Sequence, residues 1–96
     1  SIEPGLYREG QWGIRIENLV AAMPIKSQKE RDFGTFMHFE TLTLFPIDTR
    51  LMDLSLLDAK EIAWVNRYHE RVYNELSPKI SDASVLEWLK TRTTTI

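Results

Sequence analysis

Apolar and polar positions alternate in two stretches of this chain and then recur at helical spacing in two more. In Gly13-Ile14-Arg15-Ile16-Glu17 the isoleucines point one way and Arg15 and Glu17 the other, the period-two pattern of a strand with one apolar face. From Leu19 to Met23 the alternation is lost, as in a strand covered on both faces, and Pro24 weakens its end. The pattern predicts one strand over about 13–25. A second, over about 36–46, is rich in aromatic and β-branched residues, including Phe36, Phe39, Thr41, Thr43 and Phe45, and Pro46 closes it. The polar run from Lys26 to Gly34 reads as a solvated hairpin loop, so these strands are expected to pair antiparallel. Ahead of them, Pro4-Gly5, Glu9-Gly10 and Gly13 mark residues 3–13 as turn-rich, with a tight reversal expected at Pro4-Gly5.

Helices follow. Residues 48–57 form a connector whose Leu51, Met52, Leu54, Leu56 and Leu57 are expected to pack down. Asp58 is a good N-cap, and Glu61 three residues later completes a capping box. Ile62, Val65, Tyr68 or His69, Val72 and Leu76 then recur at helical spacing, and Pro78 ends the run, predicting a helix over about 58–77. Ser81 or Asp82 caps a shorter helix, about 82–91, carrying Val85, Leu86, Trp88 and Leu89. Trp64 and Trp88 are expected in the core beneath these helices, and Thr93–Ile96 reads as a frayed tail. The whole is an α+β chain: a hairpin of strands, then two helices.

Composition narrows the function. Ninety-six residues make one small unit with a thin core. A net charge of −2 supplies no electrostatic footprint for nucleic acid or an anionic membrane. Without cysteine there are neither disulfides nor thiolate metal sites. No apolar run approaches the roughly 20 residues of a membrane span. The opening Ser1-Ile2-Glu3-Pro4 reads as a strand already under way, so the chain is expected to be a piece of something longer.

Two glutamates are the candidate chemistry. Glu3 lies in an extended segment, Glu17 in the first strand, and the turn between them can aim two carboxylates at one point. Hard divalent cations take oxygen ligands of this kind. Arg15 shares the Glu17 face, so on the residues alone a plain surface ion pair is the more ordinary reading. His38, in Met37-His38-Phe39-Glu40, could act as an acid or base, but also fits a structural histidine with satisfied hydrogen bonds. Glu40 is expected to be paired and partly buried. His69 is placed at the flank of its helix with no chemistry assigned.

Ile2-Glu3-Pro4-Gly5-Leu6-Tyr7 followed by Gly13-Ile14-Arg15-Ile16-Glu17-Asn18 resembles the end of the catalytic domain in the "pita-bread" metallopeptidases, and more narrowly in aminopeptidase P, the Xaa-Pro aminopeptidases. Phe39-Glu40-Thr41-Leu42-Thr43-Leu44, Pro46-Ile47, Asp53-Leu54-Ser55-Leu56-Leu57, Trp64, Asn66, Tyr68-His69 and Leu86-Glu87-Trp88-Leu89 extend the likeness into that family's C-terminal extension. The resemblance implies that residues 1–47 end a catalytic domain and 48–96 form the extension. It implies that Glu3 and Glu17 are metal ligands and that Arg15 orients ligand or substrate beside them. It further implies a site for two Mn²⁺ in the longer parent, a peptide substrate with proline in second place, a cytoplasmic setting and a homodimer. The family's two aspartates and metal-binding histidine precede Glu3 and have no counterpart here, so this chain alone is expected to bind no cofactor and to be inactive. The competing expectation is a non-catalytic interaction or dimerisation module derived from such a protein.

Overall fold

The computed structural model describes residues 1–26 and 34–96. The expected loop between Lys26 and Gly34 falls largely outside these residues. Antiparallel strands precede two helices, the order expected from the sequence, but they form two hairpins where one was expected. The chain forms two compact units, Ser1–Thr43 and Leu44–Ile96.

In the first unit, β1 (Gly5–Arg8) pairs with β2 (Trp12–Arg15) and β3 (Val20–Pro24) with β4 (Met37–Thr41). The stretch read as one strand over 13–25 is thus two, in different sheets. Pro4-Gly5 does not reverse the chain. It continues the ladder outward, with Ile16 N–H donating to Pro4 O and an Ile2–Asn18 bridge beyond. The reversal lies at Arg8–Gln11, where Gln11 N–H reaches Arg8 O and Gly10 takes φ +69°. Glycine pays no Cβ penalty in that left-handed region. Leu19–Met23 was expected to be covered on both faces, yet Leu19 and Met23 are exposed. Leu6, Ile14 and Ile16 on the apolar face of the first hairpin are exposed as well. Glu40 is exposed rather than partly buried, and His38 is exposed opposite Met23.

The second unit holds the core. α1 (Ala59–Leu76) starts at the Asp58–Glu61 capping box, and α2 (Ala83–Arg92) is capped by Asp82, not Ser81. Tyr68, Val72 and Leu89 form the buried centre, with Leu44, Ile47, Tyr73, Leu76 and Ile80 packed against it. The second strand does not run to residue 46 because Phe45 and Ile47 find their backbone partners on α1. Tyr68 Oη donates to Phe45 O at 3.0 Å and accepts Phe45 N–H at 3.3 Å. Ile47 N–H donates to His69 Nε2 at 3.0 Å.

His69 is therefore not at the helix flank. It is fully buried, it carries its proton on Nδ1 because Nε2 accepts, and that Nδ1 has no hydrogen-bond partner among the described residues. Burial pushes its pKa below the ordinary histidine value. Trp64 and Trp88 were expected in the core and are each more than two-fifths exposed. The buried stripe of α1 is Val65, Tyr68, His69 and Val72; Trp64 stands at its edge and stacks on Tyr68, with centroids 5.4 Å apart. Leu51, Leu54 and Leu56 are also exposed, because Asp48 and Asp53 cap two tight 3₁₀ turns, Thr49–Leu51 and Leu54–Leu56, too short to bury a face. The Thr93–Ile96 tail is not frayed. Asn66 holds Ile96 by two bonds, Ile96 N–H to Oδ1 at 3.0 Å and Nδ2 to Ile96 O at 3.2 Å. The Thr93 and Thr94 hydroxyls meanwhile donate to the last α2 carbonyls.

Candidate metal centre

The first hairpin builds the site through its register. Gly5 faces Arg15 and Tyr7 faces Gly13, while Ile2 bridges Asn18. The same register places Glu3 opposite Glu17. Opposed residues in an antiparallel ladder share a face, so Glu3, Gly5, Tyr7, Gly13, Arg15 and Glu17 form one polar patch and Leu6, Ile14 and Ile16 lie on the other side.

Two carboxylates directly across a ladder repel one another, and a cation placed between them relieves this. Arg15 occupies that position. Its Nη1 is 3.4 Å from Glu3 Oε2 and 4.0 Å from Glu17 Oε2. The side chains of all three are about half exposed, so the contacts are solvent-screened and add little stability. The same exposure leaves the carboxylates accessible to an approaching cation. A hydrogen bond from the Ser1 hydroxyl, helped by the Arg15 charge, holds the Glu3 carboxyl below its ordinary pKa, so it is ionised at neutral pH.

Tyr7 is the member of this patch that the sequence reading passed over. Arg15 Nε donates to Tyr7 Oη at 2.7 Å. The guanidinium carbon lies 5.8 Å from the ring centroid, at the outer reach of a cation–π contact, so the hydrogen bond does the positioning. The signal was in the alternation: residues 3, 5 and 7 fall on one face once the segment is extended.

The oxygen-only donor set suits a hard divalent cation, but among the described residues no group of three or more His, Cys, Asp or Glu is placed to hold a metal. His38 and His69 are not part of the patch. His38 lies on β4, and His69 is buried in the other unit with its Nε2 engaged by Ile47.

A family model described as the C-terminal region of peptidase_M24 matches residues 35–96. The chain belongs to this family. The "Probable Xaa-Pro aminopeptidase P" of Coprinopsis cinerea is 45% identical over 97 residues, which cover all of this chain and 16% of that protein. Aminopeptidase P2 of Arabidopsis thaliana is 39% identical over 89 residues, 93% of this chain and 12% of that protein. Among solved structures, the X-prolyl aminopeptidase of Caenorhabditis elegans, described as a cytosolic enzyme with a di-nuclear active site, matches with a TM-score of 0.83 and 38% identity. That match covers 99% of this chain and 16% of the worm enzyme. The chain thus spans roughly an eighth to a sixth of the length of these relatives. Both the resemblance to aminopeptidase P and the expected order of strands and helices are borne out. No helix among the described residues is long and apolar enough to cross a membrane.

Proposed function

We propose that this chain is the C-terminal part of a metal-dependent Xaa-Pro aminopeptidase, which hydrolyses the bond between an N-terminal residue and a following proline. The observation that carries this reading is the pair Glu3 and Glu17, opposed across one hairpin with Arg15 between them. The names and extents of the relatives support it. In this reading residues 1–47 close the catalytic domain and residues 48–96 are its C-terminal extension. Glu3 and Glu17 are two ligands of a dinuclear centre, whose two aspartates and histidine come from an earlier part of the longer protein.

Two divalent ions, manganese in our reading, would supply Lewis-acid polarisation of the scissile carbonyl when bound there. The residues of this chain hold and orient. Glu3 and Glu17 supply negative charge from extended backbone flanked by the Ile16–Pro4 bond and the Ile2–Asn18 bridge. Arg15, clamped by Tyr7, keeps the carboxylates from repelling and presents a planar fork of donors beside them. Water is added across the peptide bond, releasing an amino acid and a peptide that begins with proline. With two ligands of five, the chain alone is expected to be inactive and metal-free. The reading extends to a homodimeric parent in the cytoplasm.

Glu17→Gln in the full-length protein tests the proposal, since it keeps the shape and removes the charge. Hydrolysis of an Xaa-Pro peptide should fall by more than about 100-fold, beyond the roughly 10–100-fold that loss of an outer-shell partner costs, and bound manganese should fall with it. Unchanged turnover and unchanged metal content would overturn the assignment.

A further inference from the structure

Gly5 and Gly13 lie on the same face as the two glutamates, and neither needs to be glycine for its backbone. The only left-handed glycines among the described residues are Gly10 and Gly34. What excludes a side chain at positions 5 and 13 is the Tyr7 ring. A Cβ on Gly13 would fall 2.5 Å from Tyr7 Cδ1 and 3.1 Å from Cε1. A Cβ on Gly5 would meet the other end of the same ring, 2.7 Å from Cε2 and Cζ, and would collide with the hydroxyl. Tyr7 therefore lies flat along the hairpin, across Gly13 and back over Gly5. Gly5 faces Arg15 in the ladder, so the ring's hydroxyl end arrives beside Arg15.

We propose that Gly5 and Gly13 are positioning residues: their bare backbone is the seat of the Tyr7 ring, and the seated ring sets the Arg15 guanidinium between Glu3 and Glu17. A methyl group on either glycine forces the ring off the sheet. A hydrogen bond of 2.7 Å does not survive a shift of about 1 Å. Arg15 then loses its hydrogen bond to Tyr7 and is held between the carboxylates by screened charge alone. The catalytic consequence rests on the aminopeptidase reading above; the seat itself does not.

A double-mutant cycle in the full-length protein tests the seat, using Gly13→Ala, Tyr7→Ala and the two combined. The readouts are kcat and KM for an Xaa-Pro peptide and the melting temperature of the metal-free protein. Gly13→Ala alone should lower kcat on the order of ten- to a hundredfold, as misplacing a positioned group by about 1 Å does, and should lower the melting temperature. In the Tyr7→Ala background the same substitution should change both by little, because no ring remains to displace. Equal effects in both backgrounds overturn the proposal, since they mean that alanine acts on the backbone. If Gly13→Ala fails to fold, recovery of folding in the double variant supports the seat, and failure of both refutes it. If the wild-type protein cleaves no Xaa-Pro peptide, the functional reading falls, and the melting-temperature cycle still decides the seat.

Discussion

Protonation of His69 should destabilise the helical unit, and the structure fixes the sign. The imidazole is fully buried, and its Nε2 accepts the Ile47 N–H at 3.0 Å. Burial opposes the charged form, so the folded pKa lies below the ordinary value of 6.5, and a proton on Nε2 would set donor against donor at Ile47. Below pH 6.5 the unfolded chain takes up a proton that the folded chain refuses. Stability is therefore full above that value and is lost as pH falls toward the folded pKa, at no more than about 1.4 kcal/mol per pH unit. His69→Leu removes this group at similar volume. At pH 7.5 two effects oppose each other. The Ile47 N–H loses its acceptor, at a cost of about 1–3 kcal/mol, and the unpartnered Nδ1–H disappears, a relief of the same order. The absolute difference at neutral pH is thus small, and the slope is the signature. Urea denaturation followed by tryptophan fluorescence should show the wild-type chain losing stability relative to the leucine variant between pH 7.5 and 5.5, by no more than about 1.4 kcal/mol. The exposed His38 is present in both chains and cancels. A difference that stays constant over this range, or that moves in favour of the wild type, refutes the reasoning.

Two further substitutions address the helices. Asp58 Oδ1 accepts from Lys60 N–H at 2.7 Å and Glu61 N–H at 2.8 Å, so Asp58→Ala should cost about 1 kcal/mol, and a thermal melt at 222 nm that matches wild type would count against the cap. Asn66→Ala removes both bonds to Ile96, and the Ile96 amide should then exchange with solvent as a free-tail amide does; retained protection in hydrogen-exchange NMR would show that something else holds the tail.

The helices were legible because their signals are local. Asp58 and Glu61 sit three apart, Val65, Tyr68 and Val72 share a stripe, and Asp82 precedes its helix, all within a few turns of one element. The strand-forming runs were legible for the same reason, from alternation and β-branched residues. Their limits were not. Nothing within 13–25 marks the break after Arg15, and nothing near Phe45 says that its backbone will bond to the Tyr68 hydroxyl, 23 residues away. The burial of His69 was hidden too, since a polar ring on a helix reads as flank until its distant acceptor role for Ile47 is seen.

The candidate site divides in the same way. The residue strings around Glu3 and Glu17, together with Phe39–Leu44 and the helical tail, reached the peptidase family, and that resemblance singled out Glu3, Arg15 and Glu17, because side-chain chemistry and spacing are properties of the chain itself. Whether the two carboxylates face one another was a matter of register, and register depends on where the chain reverses. Pro4-Gly5 was the stronger local turn signal, yet the reversal lies at Gly10. A slip of one residue there would send Glu17 to the apolar face. Only the paired ladder opposes Glu3 to Glu17, lays the Tyr7 ring across Gly13 and brings Arg15 to Glu3, since those contacts join residues that are neighbours in space and not in sequence.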